Sequence, residues 1–200
     1  MINSEGIPRD VIVIGTSAGG VEALIQLFSS LPAGLSVRIA VVIHRSPLQS
    51  LHLMQVLGRC STMPVREPKP YETMIPGTIY LAPRDHHMLV NGKQFELNRG
   101  PKEHFTRPAV DPLFTSAAAA YGSRVIGVLL TGAGDDGVAG LIAIKQHGGL
   151  GLIQDPRDAK IPAMPLNALR YDHVDLVRPL ATIPIALAML AQGRPVESRA

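Results

Sequence analysis

Val11-Ile-Val-Ile-Gly15-Thr-Ser17-Ala-Gly-Gly20 reads as a buried strand, a turn of small residues and the start of a helix. Four consecutive Val and Ile residues are β-branched and apolar throughout. That is the pattern of a strand covered on both faces. Val21, Leu24, Ile25 and Phe28 then recur at helical spacing on one face. The unit repeats outward along the chain. Strands are predicted at Val37 to Ile43, Thr78 to Ala82, Arg124 to Thr131, Leu150 to Gln154 and Val174 to Val177. Helices are predicted at Leu48 to Leu57, Asp111 to Tyr121, Asp136 to His147, Pro165 to Arg170 and Ile183 to Leu190. A proline-rich loop is expected from Met63 to Gly77 and a frayed polar tail from Gln192. Asn91-Gly92, between Met88-Leu-Val90 and Gln94-Phe-Glu-Leu97, is a strong hairpin signal. The fold class is therefore α/β. It is a three-layer, doubly wound and mostly parallel sheet with one inserted antiparallel hairpin.

The 200 residues suit one domain with a full hydrophobic core. Hydrophobic residues at 46% and charged residues at 18% exclude a disordered chain. Aromatics are only 4%, without Trp, and the net charge of +3 is scattered rather than striped. Neither base stacking nor a phosphate-tracking surface is supported, so no nucleic-acid partner is expected. One cysteine, Cys60, provides no disulfide framework and no thiolate cage for a metal. It is read as a packed small residue in a reducing compartment. No apolar run is long enough to span a bilayer, and no leader pattern opens the chain, so a cytoplasmic location is expected.

In open parallel sheets the working site lies at the carboxyl ends of the strands. Three such ends carry reactive residues. The first is Gly15-Thr-Ser17-Ala-Gly19, a G-x-S-x-G pattern between strand and helix. Its residues fit a nucleophile elbow, a glycine-rich anion cradle or a simple tight turn. The second strand ends in Ile43-His44-Arg45, which supplies a base of suitable pKa. The long strand is followed by Gly132-Ala-Gly134-Asp135-Asp136-Gly137. There one Asp orients the imidazole and the other caps the helix, or both simply cap it. Asp85-His86-His87 resembles a metal cluster, but neighbours in an extended segment point to opposite sides, so no metal site is expected. His52, His104, His147 and His173 are read as surface or loop residues.

These segments resemble the catalytic domain of CheB-type protein-glutamate methylesterases. The resemblance rests on Ile14-Gly-Thr-Ser17-Ala-Gly-Gly20, Ile43-His44, Leu81-Ala-Pro83 with Asp85 and His87-Met88, and Leu130-Thr-Gly-Ala-Gly-Asp-Asp-Gly137. Arg107-Pro108, Val110-Asp111, Leu113-Phe114 and Pro162-Ala-Met-Pro165 add to it. It implies Ser17 as nucleophile, His44 as general base and Asp136 as orienting acid, with the backbone N–H groups of Ala18 and Ala133 as oxyanion donors. It also implies a methylated chemoreceptor as protein substrate, a possible second activity on receptor glutamines, and no cofactor. Arg45, Arg84 and Arg107, near strand ends, are candidates to hold acidic receptor helices, with Arg45 and Arg107 carried as the substrate-binding pair. Ala133 stands where the family often has Met, and Asp135 where it often has Asn. Many members carry a receiver domain ahead of the esterase domain. With Met1 so close to Asp10, one domain over 1–200 (core about 10–190) without a receiver is expected. The competing reading is a non-catalytic binding module of the same fold, which a serine-directed fluorophosphonate would fail to label.

Overall fold

The computed structural model describes residues 6–44, 52–170 and 174–197. In chain order the elements are β1 (Val11–Thr16), α1 (Gly20–Ser29), β2 (Arg38–Ile43), α2 (Leu53–Cys60), β3 (Val65–Arg66), β4 (Thr78–Leu81), β5 (His87–Asn91), β6 (Gln94–Asn98), α3 (Val110–Tyr121), β7 (Val125–Leu129), α4 (Val138–Gln146), β8 (Leu150–Gln154), α5 (Ala163–Leu169), β9 (Leu176–Arg178) and α6 (Ile183–Ala191). Seven strands form one sheet in the order β3-β4-β2-β1-β7-β8-β9, every pair parallel. β5 and β6 form a separate antiparallel hairpin in which Asn91 pairs with Gln94, so the turn is Gly92-Lys93, one residue beyond the Asn91-Gly92 signal.

Alternating strand residues feed two cores. Ile12, Ile14, Ile39, Val41, Ile126 and Val128 pack with Leu24, Leu27 and Phe28 of α1, Leu57 of α2 and Leu187 of α6. Val11, Val13, Ala40, Val42, Val125 and Leu129 face the other way, onto Phe114 of α3, Leu141 of α4, Met164 of α5 and Phe95 of the hairpin. The expected three layers are therefore present. β1 is buried at every position because it lies at the centre of the sheet with helices over both faces. At the opposite end from the strand termini that matter below, Asp10 holds Arg38 at 2.5 Å and Arg124 at 2.6 Å. Burial raises the Asp10 pKa, but the two guanidinium groups outweigh it and hold the carboxyl below its ordinary value.

Several boundaries differ from the sequence reading. The predicted proline-rich loop contains β3, whose two residues pair with Ile79 and Tyr80 at the sheet edge. α2 runs Leu53–Cys60, and residues 48–51 of its predicted start lie outside the described residues. The last strand is Leu176–Arg178 rather than Val174 to Val177. The tail expected to fray instead buries Val196 against the first core. The predicted helix at Asp136 starts two residues later, at Val138. Its N-cap is Gly137 at φ +96, with no side-chain cap. Neither Asp caps that helix, and this frees both carboxylates for other partners.

Candidate active site

Ser17 and His44 each stand one residue beyond a paired strand end. Thr16 of β1 is in register with Ile43 of β2. The His44 N–H donates to the Thr16 carbonyl at 3.0 Å, and the Ser17 N–H donates to the Thr131 carbonyl beyond β7 at 3.1 Å. The turn after β1 is thus fastened to both neighbouring strands. β1 lies between β2 and β7, where the two halves of the sheet diverge, so the rim opens a crevice at that point. Thr131, 1% exposed, is the hub of the fastening. Its carbonyl also accepts the Thr16 hydroxyl at 2.7 Å, and its own hydroxyl accepts the Ile161 N–H at 2.8 Å and donates to Ala18 O at 3.1 Å. Sequence reasoning assigned Thr131 no role, because a Thr at a strand end carries no local signal of long-range bonding.

Gly132 is needed where it stands. A Cβ there would lie 2.9 Å from Ser17 Cβ, 3.1 Å from Ser17 N, and against the sulfur of Met164. Gly132→Ala is expected to shift Ser17 and lower kcat about a hundredfold, as sub-ångström misplacement of a reacting group does. Its KM should change far less. Steady-state kinetics on a small ester checks this, and unchanged kcat would show that Ser17 is not held by that contact.

His44 Nε2 lies 2.6 Å from Asp136 Oδ2. Asp136, 1% exposed, also accepts the backbone N–H of Val110 at 2.7 Å and of Asp111 at 2.9 Å. Those are the first two N–H groups of α3, so the carboxylate sits on the amino terminus of a helix remote from it in sequence. Burial raises the Asp136 pKa. The bonds from His44, Val110 and Asp111 outweigh burial, and the carboxyl is held below its ordinary value. An ionised Asp136 accepts the Nε2–H of His44, which leaves Nδ1 as the basic nitrogen of the ring. The Thr106 hydroxyl donates to Glu103 O at 3.1 Å and lies 3.3 Å from the same Nε2.

The oxyanion donors inferred from the resemblance flank Ser17. Ala18 follows it, and Ala133 follows Gly132. Among the described residues neither N–H is used in a hydrogen bond. Asn167 Nδ2 donates to Gly134 O at 2.8 Å and braces the Ala133 turn from α5.

His104, read as a surface or loop residue, is exposed and lies in a loop turn, but its ring reaches carboxylates of the site. Its Nδ1 lies 3.1 Å from Asp135 Oδ1, its Nε2 lies 2.9 Å from Asp111 Oδ2, and Asp136 Oδ1 is 3.9 Å away. With carboxylates at both nitrogens the ring is best satisfied as an imidazolium. Burial lowers its pKa, but the fields of Asp136, Asp111 and Asp135 prevail and raise it. Burial raises the pKa of Asp111, and the charge of Asp136 adds to this against the bonds from Gly140 and His104. The charge that Asp135 brings to the site is therefore taken up by His104. His104, Asp111 and Asp136 have donor atoms within 4.8 Å of one another, and both ring nitrogens of His104 already face carboxylates. A lone His in a polar loop offers no periodicity or motif, so sequence reading passed over it.

Among the described residues the His44 ring is hydrogen-bonded to Asp136 and Thr106 and not to the Ser17 hydroxyl, and the other described candidates are engaged elsewhere. Arg107, expected to hold substrate, is 18% exposed and spent inside the molecule. It donates to Asp85 at 3.0 and 2.7 Å and to the carbonyls of Arg99 and Gly100. Arg45 lies outside the described residues, as does His173. Asp85-His86-His87 is divided among three partners. Asp85 binds Arg107, His86 Nδ1 donates to Arg84 O at 2.8 Å, and His87 Nε2 donates to Pro101 O at 2.9 Å. A cavity of 450 Å³ between α2 and the β4–β5 connection is lined by His52, Leu53, Met54, Glu67, Arg84 and His86 among others. None of Ser17, His44 and Asp136 lines it.

The comparisons with known proteins identify the family. The family model described as CheB methylesterase matches residues 12–187. A Leptospira interrogans relative is 36% identical over 185 residues, covering 92% of this chain and 96% of its own. A Pyrococcus abyssi protein named protein-glutamate methylesterase/protein-glutamine glutaminase is 37% identical over 180 residues, 88% of this chain. This chain spans about half the length of that relative, 49%. Among solved structures, the Thermotoga maritima CheB methylesterase catalytic domain aligns with a TM-score of 0.86 and 32% identity, over 92% of this chain and all of that one.

Proposed function

Since the chain belongs to the CheB methylesterase family, we propose that it hydrolyses glutamyl methyl esters on the cytoplasmic helices of chemoreceptors, with Ser17, His44 and Asp136 as its catalytic triad. Ser17 Oγ attacks the ester carbonyl while its proton passes to His44 Nδ1. Asp136 holds the ring through Nε2 and balances the imidazolium that forms. The oxyanion lies against the N–H groups of Ala18 and Ala133. The imidazolium returns its proton to the departing methoxide, and methanol leaves. Water then attacks the acyl-enzyme with His44 as base, which restores the glutamate and Ser17. A glutamine side chain enters the same sequence with ammonia as leaving group, and this accounts for a protein-glutamine glutaminase activity alongside the esterase.

One observation carries the reading. Ser17 and His44 follow in-register strand ends, and the His44 ring is joined at 2.6 Å to a buried carboxylate that is itself fixed by two helix N–H groups. A binding module has no need of an ionised acid held in that position. The family relation supports the chemotactic setting. No helix among the described residues is long and apolar enough to cross a membrane. The test is methanol release from a methylated chemoreceptor cytoplasmic fragment. Turnover by the wild-type chain is expected, and its absence while a small ester is cleaved would reject the substrate assignment.

A further inference from the structure

Glu103 and Thr106 close a tight hairpin. The Thr106 N–H donates to Glu103 O at 2.8 Å, and the Glu103 N–H donates to Thr106 O at 3.2 Å. The two residues at its tip, His104 and Phe105, have φ of +48 and +61. Consecutive positive φ values define the turn that Asn-Gly occupies by preference. A bulky residue there is strained. For His104 the strain is offset within the molecule, because the turn delivers its ring to Asp111 and Asp135. For Phe105 nothing inside the molecule offsets it, since the residue is 97% exposed. Small polar residues are usual at such tips.

Its position explains the exception. The next residue, Thr106, reaches to 3.3 Å from His44 Nε2, so the turn that carries Phe105 belongs to the rim around His44 rather than to a distant loop. A small ester needs only the immediate surroundings of Ser17, whereas a polypeptide that presents an esterified side chain covers more of the rim, of which this turn is a part. We propose that Phe105 is an apolar anchor for the substrate helix, gripping it through apolar side chains beside the esterified glutamate. The inference rests on the methylesterase reading and adds to it a residue that selects protein over small-molecule substrates.

The experiment compares the wild type, Phe105→Ala and Phe105→Gly on two substrates, a methylated chemoreceptor cytoplasmic fragment and p-nitrophenyl acetate. Both variants are expected to raise KM for the protein substrate at least tenfold, the loss that goes with an unburied aromatic contact. Hydrolysis of p-nitrophenyl acetate should stay within twofold. Phe105→Gly, which removes the strain, should also raise Tm by a few degrees. Tyr71→Ala is the matched control, as Tyr71 is another exposed aromatic at positive φ, and it should leave KM unchanged. An unchanged KM in the Phe105 variants, an equal rise with Tyr71→Ala, or a parallel fall on p-nitrophenyl acetate each overturns the anchor. If wild-type chain cleaves p-nitrophenyl acetate but releases no methanol from the receptor fragment, the substrate assignment fails and the anchor falls with it.

Discussion

Ser17→Ala is expected to lower kcat for ester hydrolysis about 10⁶-fold while leaving the fold intact. The size follows from how the site divides its work. The alanine variant keeps the Ala18 and Ala133 N–H groups and the His44–Asp136 pair, but it has no atom to form the acyl-enzyme. What remains is the small catalysis that oxyanion donors and binding supply alone. Stability should change by less than about 0.5 kcal/mol, as for surface substitutions that orphan no buried group. Among the described residues the Ser17 hydroxyl has no hydrogen-bond partner to lose; the contacts that fix this residue run through its backbone N–H to Thr131. His44→Ala should cost about as much in kcat, and the double variant no more than either single one, because the two groups act as a unit. Additive losses would mean that they do not. Steady-state rates on a small ester, with thermal melts of the same samples, provide both readouts.

Asp136→Asn has the next largest expected effect, and it acts on rate and stability together. The carboxylate accepts three hydrogen bonds, from His44 Nε2, Val110 N and Asp111 N. An amide has one accepting oxygen and two N–H groups. Whichever way it is turned, it opposes donor to donor at one of these partners or forces His44 into the other tautomer. In that tautomer Nδ1 carries the proton and is useless as a base. The expected fall in kcat is about 10⁴-fold. Because the group is buried and its partners are left unmatched, a stability loss on the order of 3–5 kcal/mol is also expected. The pH dependence carries a further signature. The Asp136 pKa is lowered in the folded state, so its contribution is fully present above the carboxyl's unfolded value. It is lost as pH falls through the folded one. The Asn variant cannot titrate and should show a flatter loss of stability in acid. Urea melts across the acid range test this, and parallel curves for the two proteins would contradict the lowered pKa.

The strands and their order of use were legible because Val and Ile runs leave little choice. A fully buried parallel strand is the arrangement that accepts them on both faces. For the same reason the sequence pointed to Ser17, His44 and Asp136 as residues at strand ends. It did not show which partner each would find. Asp135 and Asp136 both looked like caps for the helix they precede, and the reading changes only when α3, from earlier in the chain, brings its amino terminus to Asp136. That approach is set by Phe114 and Leu113 packing in the core, not by anything near position 136. His104 and Thr131 were invisible for a related reason, since each works through partners far away in sequence or through backbone atoms that no motif records. Arg107 erred in the other direction. A guanidinium near a strand end looked available for substrate, whereas Asp85 and two carbonyls had already claimed its donors. Composition shows that a charge is present but not whether it is free.

In the proposed mechanism Ser17 is made nucleophilic by the imidazole that Asp136 orients. Reaction with a fluorophosphonate, followed by mass spectrometry of the digested chain, tests it most directly. A single adduct on Ser17 is expected in the wild type, with sharply slowed labelling in His44→Ala and none at that position in Ser17→Ala. An unlabelled wild-type chain, or an adduct on some other residue that persists in Ser17→Ala, would contradict it.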